Sequence, residues 1–172
     1  MENNINNNAA SEVSHQIISL IIKNWEDRND KVTEYFNIYE DDVYYKEVAT
    51  GRNRAIYLFG HLVATNDALI SILGFGEKLY PELATIFLAA PDKTVEEIPT
   101  LAQLKKHWLM VNGILSKKFT EMTPAEWLAR HERVSEEDFA KDPSRNKLNV
   151  LLSRILHQNY HFGQLAFLHS KN

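Results

Sequence analysis

A chain of 172 residues, 44% hydrophobic and 24% charged, has the composition of one soluble globular domain. A net charge of −4 with scattered Lys and Arg lacks the concentrated basic footprint that phosphate backbones need, so no nucleic-acid partner is expected. The absence of cysteine excludes disulfides, thiolate metal sites and a cysteine nucleophile, and fits a cytoplasmic location. The N-terminus has no apolar core of a signal peptide, and His61, Asn66 and Asp67 interrupt the most apolar stretch, so no membrane association is expected.

Residues 1–11 are Asn-rich and read as a disordered tail before a single domain over 12–172. Ser11 is placed to cap a first helix running to about Phe36, with Val13, Ile17, Leu20 and Ile21 as its apolar face. His15 lies on the opposite side from Ile17 and is expected in solvent. The segment 37–51 loses helical period and ends on Gly51. Asn53 is placed to cap a second helix, which stops near Leu73 at Gly74-Phe75-Gly76. At ~100° per residue, Leu58, Thr65, Ala68 and Ile72 share the direction of His61. His61 therefore points inward, beside the small residues Ala64, Thr65 and Ala68.

A long connection over 77–99 carries a short helical piece near 81–88. Thr100-Leu101-Ala102-Gln103 is a capping box opening a third helix, whose Leu101, Leu104, Trp108, Val111, Leu115 and Phe119 alternate at three and four. His107 falls one position off that stripe and reads as a rim residue. The second long connection, 122–147, contains a capped short helix at Thr123-Pro124. His131 stands there among Arg130, Glu132 and Arg133 and is expected in water. A fourth helix starts near 144–146 and runs to about His169. Leu148, Leu151, Leu152, Ile155, Phe162 and Ala166 form one stripe, and Val150, His157, His161 and Leu168 another, which predicts burial on nearly all sides. His169 reads as a terminal surface residue. Four long helices imply an all-α four-helix bundle, its long connections carrying short extra helices and walling a pocket.

His157 and His161 are one helical turn apart, ~40° in direction and ~6 Å along the axis, so both imidazoles can reach one ion. The inward His61 supplies a third nitrogen from a facing helix. Three neutral imidazoles leave a coordination position open, as in catalytic rather than structural sites. Nitrogen ligands without thiolate suit Zn, Ni, Cu or Fe.

Gly60-His61-Leu62 with Asn66-Asp67, and His157-x-x-x-His161-x-Gly163-Gln164-Leu165, resemble the DinB/YfiT-like superfamily of metalloenzymes. The resemblance spans the chain after about residue 12. It implies an up-down-down-up four-helix bundle, with His61, His157 and His161 as ligands of a divalent ion, usually Zn or Ni, and a homodimer. The surplus apolar surface of the fourth helix points to a dimer as well. Phe162 departs from the pattern, since many relatives carry Arg there. The implied activity is transfer of a low-molecular-weight thiol to a small-molecule substrate. The lack of cysteine requires any sulfur nucleophile to arrive as a cosubstrate. Metal-dependent hydrolysis and a non-catalytic stress-response module binding metal or small ligands use the same histidines. Arg54, Tyr57, Tyr160 and Gln164 lie near the histidines, and none is singled out as a general base.

Overall fold

The computed structural model describes residues 2–169, with side chains described over 12–168. It is helical: α1 (Glu2–Tyr35), α2 (Ala55–Ile72), α3 (Leu101–Glu121), α4 (Pro124–Leu128), α5 (Glu136–Lys141) and α6 (Lys147–Leu165). Short 3-10 turns occupy Asp41–Tyr45 and Ala166–His169, and a π turn Thr85–Ala89. Among the described residues there is no strand, only the isolated bridges Glu47 to Arg54 and Arg130 to Asn146.

The long helices α1, α2, α3 and α6 share the core, and their side chains fix their directions. Asn29 accepts from Gln158 at 3.0 Å and Tyr35 donates to the Leu165 carbonyl at 2.7 Å, so α1 and α6 run the same way. Asn66 donates to Asn112 at 2.9 Å and Phe59 meets the Trp108 ring at 5.7 Å, so α2 runs with α3. Trp108 bonds to Thr33 and Ser116 to Glu26, which sets α3 against α1. Each fully buried large side chain at these seams, such as Trp25, Trp108 or Phe119, contributes on the order of 1.5–3 kcal/mol. By length and composition α2 is the one described helix able to cross a membrane, and 89% of it is buried within the protein.

Helix boundaries set by local chemistry fall where the sequence puts them. Thr100 and Thr123 both form complete capping boxes, with Gln103 and Glu126. All six apolar residues of the α3 stripe are buried. Gly74 at φ +79 ends α2, with Phe75 N–H bonding back to the Ile70 carbonyl and Gly74 N–H to that of Ser71.

Four expectations are corrected. The helical backbone of α1 continues back to Glu2, so residue 11 lies within the helix and not at its start. Extending an existing helix needs no new nucleus. The core face of α1 is Ile18, Trp25, Asn29 and Val32, continued by Phe36 just past its end, whereas Val13, Ile17 and Leu20 are exposed. The bulk of Trp25 and Phe36 sets the rotation of the helix. Asn53 does not cap α2: Arg54 holds the cap position, and Asp92 Oδ2 accepts its N–H at 2.7 Å. A carboxylate from a distant loop thus serves the positive end of the helix. Finally, α6 is not buried all round. Leu151, Ile155, Gln158 and Leu165 face inward, while Leu156 and Tyr160 are 70% and 65% exposed. The short helix α5, opened by Ser135 accepting from Asp138 N–H, is an addition to the expected elements.

Candidate metal centre

Inward direction on α2 and one-turn spacing on α6 bring His61, His157 and His161 together. Their ligand atoms all lie within 4.8 Å of one another. His157 Nε2 stands 3.0 Å from His61 Nε2 and 3.1 Å from His161 Nε2.

The outer nitrogens explain why the rings present these edges. His61 Nδ1 is 2.8 Å from the Phe87 carbonyl, and His161 Nδ1 is 2.9 Å from Gln164 Oε1. Each oxygen accepts, so both rings carry their proton on Nδ1 and turn a bare Nε2 lone pair inward. The Phe87 carbonyl is free for this because it lies in the last turn of a short π turn, where C=O groups lack helical partners. That turn is strapped to α2 at two further points. Tyr57 Oη donates to the Ala90 carbonyl at 2.6 Å, and the Arg54 guanidinium pairs with Asp92 at 2.7 Å. At the far end of the same connection, buried Asp67 accepts from Leu79 and Tyr80 N–H at 2.8 and 3.1 Å. Gly60 lets Phe87 approach, for a Cβ there would lie 2.6 Å from Phe87 Cδ1 and closer still to two other ring atoms.

Burial is the main force on the protonation of all three rings. It pushes His157 down to about 4, with His161, Arg154 and His61 adding to the effect. It lowers His61 against the opposing Phe87 bond, and lowers His161 against the Gln164 bond. At neutral pH the three are uncharged ligands-in-waiting. Nitrogens ~2.0–2.1 Å from a tetrahedral zinc stand ~3.3 Å apart, a few tenths more than the two separations at His157. The donor set, its geometry and the two outer acceptors fit a divalent ion. The third ring differs, since His157 Nδ1 faces Arg154 Nη1 at 3.5 Å rather than an acceptor. An arginine can only donate, so the neutral His157 ring keeps its proton on Nε2, between the bare Nε2 atoms of His61 and His161, and a metal bound there would displace it.

Two cavities flank the cluster. One of about 530 Å³ lies between the 48–53 segment and Leu58, Tyr160, Gln164 and Phe167. The other, about 420 Å³, runs from His157 along α6 to Asn146 and is walled by His131, Arg133 and Arg145. Of the expected walls, 122–147 lines a cavity; 77–99 acts instead through the Phe87 carbonyl, and the 48–53 segment takes the other wall.

Gln164 orients His161, and the Tyr160 ring packs edge-on to His161 at 5.0 Å. Tyr57 and Arg54 hold the π turn rather than facing the nitrogens. His15 is exposed, and His107 stacks on Tyr80 at 3.7 Å away from the cluster. His131 is not free in water: it is half-buried and its Nδ1 accepts from Arg133 N–H at 3.2 Å. The His169 side chain lies outside the described residues. Sequence reasoning missed the Phe87 carbonyl, which no side chain announces, and Arg154, which its position one turn before His157 could have flagged. Compared with known proteins, the chain matches no family model and no curated protein.

Proposed function

We propose that this chain is a divalent-metal-dependent enzyme acting on small molecules, with His61, His157 and His161 as ligands of a zinc or nickel ion. The observation that carries this reading is the pair of outer bonds, from His61 Nδ1 to Phe87 and from His161 Nδ1 to Gln164, which aim two bare Nε2 atoms at His157. Metal-ligating imidazoles are held by this kind of carbonyl acceptor. The helix directions, α1 with α6 and α2 with α3, support a DinB-like four-helix bundle in the up-down-down-up arrangement.

Three protein ligands leave room for a fourth from a small molecule. A divalent ion held there supplies Lewis acidity, which favours the thiolate form of a thiol at neutral pH. With no cysteine in the chain, the thiol is a low-molecular-weight cosubstrate. In the transfer its sulfur bonds to an electrophilic carbon, that carbon's bond to its leaving group breaks, and the thiol proton departs with the leaving group. The chain's own residues orient the ligands: Gln164 and Phe87 keep the rings in register. The chain acts as a cytoplasmic homodimer, a reading supported by the exposed Leu152, Leu156 and Tyr160 along α6.

The test is a panel of cellular thiols, each paired with a generic electrophile, run on metal-loaded wild type and on His61→Ala. Thiol-specific turnover lost in the variant supports transfer. Turnover of simple esters or amides without thiol assigns hydrolysis instead. Bound metal with neither activity assigns a non-catalytic binding module.

A further inference from the structure

The cavity at the outer end of His157 is lined by Arg133, Arg145, Arg154, His131, Asn149 and His157, and no Asp or Glu faces it. Among the described residues, Arg133 and Arg154 take part in no ion pair. Arg145 reaches Asp138 only at 3.9 Å. Glu132, the nearest acid in sequence, packs toward Gly74 instead. Arg154 is the telling member, since its Nε is buried without any acceptor. A buried guanidinium N–H without an acceptor is unfavourable, and the planar fork, open to the cavity, matches the oxygens of a carboxylate or phosphate.

The remaining wall adds donors. Because His131 Nδ1 accepts from Arg133 N–H, the neutral ring carries its proton on Nε2 and offers it as a donor. The first turn of α6, Asn146 to Asn149, contributes the positive end of a 19-residue helix. The volume, about 420 Å³, is in the range of small-molecule sites.

We propose that this cavity is an anion subsite, in which Arg133, Arg145 and Arg154 hold the carboxylate or phosphate group of a small-molecule substrate beside the histidine cluster. The subsite stands on its own geometry; that its ligand is a substrate rests on the metal reading above. The substrate class is therefore an electrophile bearing an anionic group, one end gripped by guanidinium and the other directed toward His157.

The test is an NMR titration of the full chain, metal-free and zinc-loaded, with inorganic phosphate and with succinate at ionic strength held constant by chloride. Saturable shifts at Arg154 Nε–H and the His131 ring are expected. Arg133→Gln and Arg145→Gln sit at exposed positions that leave the core intact. Each should weaken binding about tenfold, the loss of one charge-assisted hydrogen bond. Saturation by phosphate alone assigns a phosphate ligand, and saturation by succinate alone a carboxylate. No saturable shift with either anion, or unchanged affinity in both variants, overturns the proposal. Elemental analysis of the same samples reads the histidines separately. Anion binding by protein that takes up no metal therefore sinks the metal reading and leaves the subsite standing.

Discussion

Gly60→Ala tests how the 77–99 connection positions the first ligand. The added Cβ would meet Phe87 Cδ1 at 2.6 Å, against ordinary contacts of 3.4–4 Å, and would press harder on the ring edge beyond. Phe87 is fully buried and packs on Tyr57, so the ring has no solvent to swing into. The whole π turn must retreat by about 1 Å, and overpacking of this kind costs about 1–3 kcal/mol. The retreat carries the Phe87 carbonyl away from His61 Nδ1, which now sits 2.8 Å from it. Losing an outer partner of a metal-binding imidazole lowers affinity roughly 10–100-fold. Urea unfolding reads the first effect, and zinc competition against a chromogenic chelator reads the second. A Gly60→Ala protein with wild-type stability and wild-type zinc affinity would refute the role given to this turn. A stable variant that lost affinity would show the carbonyl to matter more than the packing.

Gln164→Leu removes the acceptor from His161 Nδ1 and should lower zinc affinity about 10–100-fold without loss of helicity, as chelator competition and circular dichroism would show. Asp67→Asn takes away the charge that holds Leu79 and Tyr80 N–H and should cost about 1–3 kcal/mol in urea unfolding; an unchanged midpoint would contradict its tethering role. In metal-free protein the His157 ring titrates near 4 when folded against an ordinary 6.5 when unfolded. The unfolded chain therefore binds the extra proton, and stability present above pH ~6.5 is lost as pH falls toward 4, a decline that His157→Gln should flatten in pH-dependent urea titrations. Light scattering should give about twice the 19.9 kDa chain mass, and Leu156→Lys, at a 70% exposed position, should halve it; a wild-type mass near 19.9 kDa would exclude the dimer.

The legible parts of this chain are those whose physics is local. Thr100 with Gln103, and Thr123 with Glu126, satisfy one another's orphan groups within four residues, so the starts of α3 and α4 can be read directly. The three histidines were legible for a related reason. Turn spacing fixes the pair on α6, and small neighbours mark the inward side of His61. Choices between two apolar stripes were not legible. Ile17 and Ile18 are equally hydrophobic, and the partners of Trp25 on other helices decide which one is buried. The same holds for Leu151 and Leu152 on α6. Contacts across long separations also escaped, as with Asp92 serving the start of α2 and the Phe87 backbone oxygen orienting His61. The arginine-lined cavity needed the fold itself, which lays the 131–145 segment along α6.

The central claim is that His61, His157 and His161 bind one divalent ion together, and metal content tests it most directly. Protein purified without chelators or metal-binding tags, then analysed for elements, should carry close to one zinc or nickel per chain. Separate alanine substitutions of His61, His157 and His161 should each remove most of it while leaving the helical content intact. Equal metal content in the wild type and all three variants would contradict the account.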